Sequence, residues 1–576
     1  MKTTKSIARL AVTAGLTAAL SFGGVMAPVT MAFAEDAAAT ANGSVTIANV
    51  EGNHTEFDGY QIFKADVATV EGKTVVSNIT WANGSVKAAV EGVIKNEEPT
   101  YKGKTAQDAA DWITSKVTGT NDAYCVGPDN IAYKIAAAVD DLTDKKTTSA
   151  GVASGLEHGY WLFVTDAGTI GDGEAGSSPI FTVVGNTPVK VTEKTGIPTV
   201  EKKIVSDADG KEHDAADSQI GQDVTYNLYG TVAENFDKYD TYFYQFSDQI
   251  SKGLKLQSDA EVYLYDSVSD AKGDLTHKTG RKITNNFKQS AETVDSSTGA
   301  KTTKWTCENL KDVSGITKQS CVVVSYKARI NTDAIVAGTE SNVAGTEGND
   351  NTVILNYSNN PMNKDGKGQT PPDKVKDYTY GLKINKVDLG TEAALDGAEF
   401  TIQATGADDG ASTNLYVQQD GSLGKTPWKF KTANGGIIKV VGLDAGVYTV
   451  TETSAPDGYT TVEPFTFEIK PTMKADDPGA GLTLLESTLD PKNQNDKIIA
   501  GLTDGNSGDN KLTAKSDSEK DSDGTFNITV GNTKQINLPL TGLNGVTFTW
   551  IAGGAVLCIG VAHLIRSRKR DEGSEE

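Results

Sequence analysis

Short runs of alternating apolar and polar residues extend from about residue 44 to residue 534, separated by Gly, Asn, Asp and Ser. A period of two places the apolar side chains of a strand on one face, so each run predicts a half-buried β-strand. Clear examples are residues 160–164, 322–326 and 465–469. Many short strands divided by turn residues are typical of all-β sandwiches.

Helical periodicity interrupts this pattern briefly near residues 106–117 and 129–142, which predicts minor helices in the first third of the chain. Two composition changes suggest boundaries, one around residues 191–198 and a Pro-, Gly- and Lys-rich run that contains Pro371 and Pro372. We therefore expect three tandem sandwich domains, at about 35–194, 195–362 and 378–536, with a linker at 363–377.

Both ends of the chain carry targeting patterns. Lys2, Lys5 and Arg9 precede an apolar stretch that leads to Ala32-Phe33-Ala34, which predicts a secretory signal over residues 1–34 with cleavage between Ala34 and Glu35. Residues 546–565 are mostly apolar and long enough to span a bilayer, and the basic tail 566–576 that follows predicts a cytoplasmic end. The protein is therefore expected outside the cell, with its precursor held in the membrane.

Composition argues against several classes of function. The chain carries 54 Lys and Arg against 76 Asp and Glu, a formal net charge of −22. Binding to nucleic-acid phosphates needs a basic face, so no nucleic-acid partner is expected. The five histidines form no H-x-x-x-H pair and the four cysteines no C-x-x-C, so we expect no metal site and no cofactor.

Two cysteines of the second domain, Cys307 and Cys321, lie 14 residues apart, and the runs around them could be neighbouring strands. In an oxidising exterior they are expected to form a disulfide. The alternative is two buried thiols.

The most informative residues are polar side chains on apolar strand faces. Alternation places Lys386 on the same face as Leu382 and Ile384, Glu452 with Tyr448 and Val450, and Asn532 with Ile528 and Val530. Burying a lone charge costs several kcal/mol, and desolvation favours the neutral amine and the neutral acid. Such an amine can attack the Asn carboxamide while the acid shuttles protons, which releases ammonia and leaves an isopeptide bond. An ordinary buried Lys–Glu pair is the alternative.

These segments resemble the CnaB, prealbumin-like domains of Gram-positive adhesins and pilins. The resemblance lies in the first strand 381–388, the segment 451–459, which is similar to the family's "E-box", and the closing strand 530–534. It implies Lys386 as the amine, Glu452 as the acid and Asn532 as the acceptor.

The second domain repeats the pattern and resembles the CnaA-like domain of pilus backbone subunits. Lys202 and Asp248 lie on apolar faces, which implies an amine and an acid, whereas Lys203 alternates to the other face with Glu201. Both Asn351 and Asn359 fall on the apolar face of the last strand. The pattern does not choose between these acceptors, and we prefer Asn359.

The C-terminal segment Leu538-Pro539-Leu540-Thr541-Gly542 resembles the L-P-x-T-G sorting signal of Gram-positive surface proteins, because the apolar span and the basic tail follow it in order. The resemblance implies that a sortase cleaves after Thr541 and transfers its carbonyl to an amine. Residues 189–194 partly match the pilin motif that supplies this amine, which implies Lys194, with Lys190 as the competitor.

Taken whole, the chain resembles the shaft subunit of a sortase-assembled pilus. The resemblance implies these partners: a pilin-specific sortase, a housekeeping sortase, other copies of the chain, peptidoglycan, a tip or minor pilin and a host surface ligand. The only chemistry expected on the chain itself is single-turnover crosslinking, so it is not an enzyme. The rival interpretation is a monomeric wall-anchored adhesin that lacks an inter-subunit link.

Overall fold

The computed structural model describes residues 43–70, 73–116, 128–257, 259–337, 348–406, 414–473, 482–489, 498–503, 511–513 and 525–535. The predicted signal segment, the L-P-x-T-G segment, the apolar span and the basic tail lie outside these residues. Among the residues described, no helix has the length and apolarity needed to cross a membrane. In the same part of the chain, no group of three or more His, Cys, Asp or Glu side chains is arranged to hold a metal ion.

Strands dominate the described residues, which confirms the all-β prediction. The first unit contains β1 (Gly43–Ala48), β2 (Phe57–Val70), β3 (Lys73–Trp81), β4 (Lys146–Thr147), β5 (Val152–Leu156), β6 (Gly159–Thr165), β7 (Ile180–Val184) and β8 (Val189–Thr192). They form a sheet in the order β5-β1-β8 and a sheet in the order β3-β2-β6-β7, with β4 on β2.

Three helices cover the second of these sheets: α1 (Gly84–Glu97), α2 (Ala106–Lys116) and α3 (Ile131–Val139). The last two confirm the expected minor helices. The first was missed, although Asn83 caps its N-terminus by accepting from the Val86 amide at 2.8 Å. Val86, Val90 and Ile94 recur every four residues and are its buried face.

The second unit is a larger sandwich. Its elements are β9 (Val200–Val205), β10 (Glu212–His213), β11 (Ala215–Asp217), β12 (Asp223–Thr231), β13 (Tyr244–Ile250), β14 (Leu254–Leu256), β15 (Glu261–Tyr265), α4 (Val268–Lys272), β16 (Arg281–Lys282), β17 (Lys288–Gln289), β18 (Thr293–Val294), β19 (Lys301–Cys307), β20 (Cys321–Ile330), β21 (Asn349–Ser358), β22 (Lys367–Gln369) and β23 (Asp373–Tyr378). One sheet runs β10-β9-β12-β20-β15-β16, with β14 on β20, and the other runs β11-β23-β21-β13-β19-β17, with β18 on β19 and β22 on β21. One apolar core lies between these sheets.

The segment 363–377 is not the expected linker. Strand β22 pairs with β21, and β23 lies between β21 and β11 in the same sheet. Val375 is fully buried in the core of the unit. Pro371 and Pro372 fall between the two strands, where a missing amide donor costs no ladder bond. The polar, Pro-rich composition therefore belongs to a turn and its flanking strands.

The expected disulfide is also wrong, because Cys307 and Cys321 are both buried free thiols. Cys307 ends β19 in one sheet, whereas Cys321 begins β20 in the other. The chain crosses between the sheets after β19, so the two runs are not neighbouring strands. Burial raises the pKa of Cys307 to about 11 and that of Cys321 to about 12, which keeps both thiols protonated.

The third unit is again a sandwich. Its strands are β24 (Tyr380–Asp388), β25 (Glu399–Gly406), β26 (Leu415–Val417), β27 (Leu423–Gly424), β28 (Phe430–Lys431), β29 (Ile437–Leu443), β30 (Gly446–Ser454), β31 (Phe465–Met473), β32 (Leu482–Leu489), β33 (Ile498–Thr503), β34 (Lys511–Thr513) and β35 (Thr525–Asn532). One sheet runs β29-β24-β35-β33, and the other runs β27-β26-β25-β30-β31-β32-β34, with β28 on β25. The first and last strands, β24 and β35, are parallel neighbours.

Candidate functional site

Two lysines lie inside the sandwiches, where alternation predicted them. On β9, Lys202 shares the inward face with Ile204, and both side chains are fully buried. Lys386 is likewise fully buried on β24, on the face of Leu382 and Ile384. Lys203, on the opposite face of β9, pairs with Asp214 at 2.6 Å near the surface. The face of the strand on which a lysine lies therefore distinguishes the buried amines of Lys202 and Lys386 from the ordinary ion pair of Lys203.

In the second unit the amine of Lys202 meets groups from the opposite sheet. Its Nζ contacts Asp248 Oδ1 on β13 and Asn351 Oδ1 on β21. Strands β13 and β21 are antiparallel neighbours, with Ile250 opposite Asn351. The acid and the amide therefore come from one sheet and the lysine from the other.

The preference for Asn359 does not fit this geometry. Asn359 follows the end of β21, and its backbone carbonyl accepts a hydrogen bond from Gly176 of the first unit at 2.6 Å. It lies at the contact between the first two units, whereas Asn351 lies beside the amine. Both residues have the same parity along the chain, so the period-2 pattern did not distinguish them.

The sequence reasoning missed Tyr326, whose hydroxyl completes the second-unit site. This hydroxyl donates to Asp248 Oδ2 at 2.5 Å, accepts from Asn351 Nδ2 at 2.7 Å and accepts from Lys202 Nζ at 3.1 Å. A signal was present, since Tyr326 alternates with Val322 and Val324 on the inward face of β20. A buried tyrosine normally finds a partner for its hydroxyl, so a Tyr on an inward strand face was informative.

Burial shifts the charges of this site toward neutrality. Desolvation lowers the pKa of Lys202 to about 8, against the opposing effect of the Asp248 carboxylate. Desolvation also raises the pKa of Asp248, although Lys202 and Tyr326 oppose it. Both shifts favour the neutral amine beside the protonated acid.

The third-unit site contains the three residues that the sequence predicted. Lys386 Nζ contacts Asn532 Oδ1 and lies 3.6 Å from Glu452 Oε1. The same Glu452 oxygen accepts from Asn532 Nδ2 at 2.8 Å, and its second oxygen accepts from the Val462 amide at 2.8 Å. Desolvation lowers the pKa of Lys386 to about 8, with the Glu452 carboxylate acting in the opposite direction.

Both arrangements suit the same chemistry. A neutral lysine amine is a nucleophile. An amine that is hydrogen-bonded to the carboxamide oxygen also lies close to the carboxamide carbon. A protonated carboxyl group beside the amide can take a proton from the attacking nitrogen and give one to the departing nitrogen. Since all the groups are buried, water is kept from competing with the amine.

A different lysine, Lys194, is exposed just beyond β8. The preceding residue, Glu193, is buried, and its carboxylate accepts from the Val50 amide at 2.9 Å and from Asn53 Nδ2 at 2.7 Å. These bonds fasten the end of the first unit to the loop after β1 and leave the neighbouring lysine at the surface. Lys190, on β8, is exposed as well.

Comparison with protein families identifies part of the third unit. The SpaA family, described as a prealbumin-like fold domain, matches residues 380–477. This range includes Lys386 and Glu452 and ends before Asn532. Residues 380–477 of the third unit are therefore similar to a prealbumin-like domain, in line with the resemblance of the sequence. No curated protein sequence matches the chain.

Solved structures resemble the chain over most of its length. The T6 backbone pilin of Streptococcus pyogenes serotype M6 is 18% identical, with a TM-score of 0.48, over 87% of this chain and 100% of that one. The major pilin SpaD of Corynebacterium diphtheriae is 16% identical, with a TM-score of 0.42, over 86% and 98%. The major pilin SpaA of the same species is 14% identical, with a TM-score of 0.39, over 76% and 97%.

Proposed function

We propose that this chain is a shaft subunit of a covalent, sortase-polymerised pilus that is anchored to the cell wall. Two kinds of covalent bond would hold the shaft together. Isopeptide bonds inside the second and third units, Lys202 to Asn351 and Lys386 to Asn532, would brace each subunit. Bonds between subunits would join Thr541 of one copy to Lys194 of the next.

The observation that carries this proposal is the repetition of a buried Lys, acid and Asn set in two successive sandwiches. Burying an ammonium and a carboxylate is costly, and a single such set could be an ordinary buried ion pair. Here each amine also contacts a carboxamide oxygen, which a simple ion pair does not require. Self-made internal crosslinks suit a protein whose function is to bear mechanical load.

Assembly would begin with export and removal of residues 1–34. A pilin-specific sortase would then cleave within Leu538–Gly542 and form an acyl-enzyme at Thr541. The exposed side chain of Lys194 supports it as the attacking amine, since sortase must bring its acyl group to an accessible nucleophile. A housekeeping sortase would finally transfer the last subunit to peptidoglycan, and a tip pilin or a host ligand would lie at the far end.

The polymerisation step is tested by Lys194→Arg in a piliated host. Arginine keeps the positive charge but is not an acyl acceptor at neutral pH, because its guanidinium stays protonated. We expect the high-mass ladder of wall extracts on denaturing gels to disappear. Lys190→Arg, at the exposed lysine on β8 four residues earlier, is the matched control and should retain the ladder.

A ladder that survives Lys194→Arg would contradict the role of this lysine. A single wall-linked band in the unaltered strain would instead favour the monomeric adhesin and would contradict the shaft. Neither result depends on the internal crosslinks, so the two parts of the proposal are tested separately.

A further inference from the structure

The second-unit site places a hydroxyl between its acid and its amide. Asp248 uses Oδ1 to contact Lys202 Nζ and Oδ2 to accept from the Tyr326 hydroxyl. The amide nitrogen of Asn351 donates to this same hydroxyl at 2.7 Å. The hydrogen-bonded path for a proton from Asp248 to the leaving nitrogen of Asn351 therefore passes through the Tyr326 hydroxyl.

The third-unit site needs no such bridge. Glu452 is one methylene longer than aspartate, and its Oε1 itself accepts from the leaving nitrogen of Asn532 at 2.8 Å. The same oxygen lies 3.6 Å from Lys386 Nζ. One carboxyl group thus reaches both nitrogens there, whereas in the second unit the shorter acid reaches the amide nitrogen through a phenol.

We propose that Tyr326 is a catalytic residue that relays a proton from Asp248 to the leaving nitrogen of Asn351 while the second-unit isopeptide bond forms. This inference rests on the proposed crosslinking. A carboxamide nitrogen is a donor only, because its lone pair is delocalised into the carbonyl group. Attack makes the carbon tetrahedral and localises that lone pair, so the nitrogen becomes an acceptor for the phenolic proton.

The relay balances without any further reactant. The neutral amine of Lys202 forms the new C–N bond to Asn351 and passes one proton to Asp248 Oδ1. When Asp248 is protonated on Oδ2, its hydrogen bond with Tyr326 reverses, so Oδ2 donates to the Tyr326 oxygen and the phenolic proton turns toward Nδ2. The proton on Oδ2 then moves to the Tyr326 oxygen, and the phenolic proton moves to Nδ2, whose bond to carbon breaks. Ammonia leaves, Asp248 stays protonated with its proton on the other oxygen, and Tyr326 is regenerated.

Packing fixes the phenol in place for this role. The Tyr326 ring stacks with Trp305 at 5.4 Å and with Tyr226 at 5.5 Å, with interplanar angles of 28° and 20°. Its strand, β20, is paired on both sides, by β12 and by β15. A hydroxyl held by two stacked rings inside a sheet loses little freedom when the reaction begins.

The test is Tyr326→Phe in the chain 35–541, recovered unfolded from inclusion bodies and refolded while intact mass is followed. Phenylalanine keeps the stacked ring and removes only the relay. We expect the loss of about 17 Da from the second unit to slow by about 100-fold or more, the usual range for a positioned acid, while the third unit loses its ammonia normally. Tyr244→Phe is the control, because this buried hydroxyl donates to the Thr231 carbonyl, outside the site.

A second variant separates a relay from a structural role. In Tyr326→Phe/Asp248→Glu the longer acid should reach Asn351 directly, as Glu452 reaches Asn532, and the crosslink should return. A wild-type rate in Tyr326→Phe, or a folded single variant that the longer acid does not rescue, would overturn the relay. If the unaltered protein never loses ammonia from the second unit, the proposed crosslinking fails instead.

Discussion

The second and third units each bury a lysine, an acid and an asparagine, but these side chains lie on different parts of the sandwich in the two units. In the second unit Lys202 and Asn351 lie in opposite sheets, so a bond between them would tie sheet to sheet. In the third unit Lys386 and Asn532 lie on the neighbouring parallel strands β24 and β35, so a bond would tie the first strand to the last within one sheet. The acid lies on the asparagine's sheet in the second unit and on the facing sheet in the third.

The proposed crosslinking would therefore require three groups to meet, and it would not require one particular sheet topology. The two ties would close loops of similar size, with sequence separations of 149 and 146 residues. A loop-closure model therefore assigns each tie about the same stabilisation, roughly 5 kcal/mol. The units differ instead in how the acid reaches the amide, which is where substitutions can distinguish them.

The largest expected effect comes from removing either acid. Asp248→Ala should leave the second unit uncrosslinked, and Glu452→Ala should do the same to the third, because no group remains to transfer protons between the nitrogens. Each altered unit should lose about 5 kcal/mol of unfolding free energy. Calorimetry with intact-mass analysis checks this, and each variant serves as the control for the other unit. Loss of both crosslinks from one substitution would contradict the independence of the two sites.

The next effect in size concerns the length of the acid. Glu452→Asp withdraws the carboxyl group by about 1.5 Å, one C–C bond, from both Asn532 and Lys386. Since the leaving nitrogen of Asn532 donates directly to Glu452, the third-unit crosslink should form about 100-fold more slowly on refolding. Time-resolved mass measurement gives the rate. An unchanged rate would mean that the direct hydrogen bond between Glu452 and the Asn532 amide nitrogen is not what distinguishes the two sites.

The pH dependence of the second-unit crosslink runs against a simple expectation for an amine. The reactive pair, neutral Lys202 with protonated Asp248, holds one proton, as the ion pair does, so changing the pH does not convert one into the other. Raising the pH through about 8, the lowered pKa of Lys202, removes that proton and leaves no acid to donate.

Refolding at a series of pH values, followed by mass, should therefore show a rate that falls above about pH 8. A rate that climbs steadily from pH 8 to pH 10 would indicate attack by an unassisted amine.

The smallest effect is confined to the third unit. Tyr459 donates to Asp388 Oδ2 at 2.7 Å, and this hydrogen bond is the main cause that lowers the pKa of Asp388. A lowered pKa stabilises the fold above the ordinary value for Asp, and this contribution is lost as the pH falls through the lowered value. Tyr459→Phe should cost about 1 kcal/mol at pH 7 and less in acid. Denaturant unfolding at pH 7 and in acid measures the difference. Tyr416→Phe is the control, because Tyr416 lies on β26, in the other sheet from Asp388.

Period-2 patterning was enough to predict the sandwiches and the inward position of five polar side chains, because a polar residue on an apolar face is visible in the sequence. These residues are Lys202, Asp248, Lys386, Glu452 and Asn532. The pattern could not choose Asn351 over Asn359, since both have the same parity and only the pairing of β13 with β21 decides which one meets the lysine.

The remaining errors share one physical cause. Each concerns a feature that is set by contacts between residues far apart in the sequence. The cysteines were misjudged because β19 and β20 belong to different sheets, and the supposed linker because its strands pair with partners far along the chain. Tyr326 was missed because its hydroxyl bonds to Asp248 and Asn351, which lie on the facing sheet.

If the proposal is right, two specific isopeptide bonds form in this chain without an external enzyme. Refolded chain 35–541 should have an intact mass about 34 Da below its sequence mass, for two released ammonia molecules. Tandem mass spectrometry of its digest should identify one peptide pair joined through Lys202 and Asn351 and another joined through Lys386 and Asn532. A mass equal to the sequence, or a second-unit link through Asn359, would contradict it.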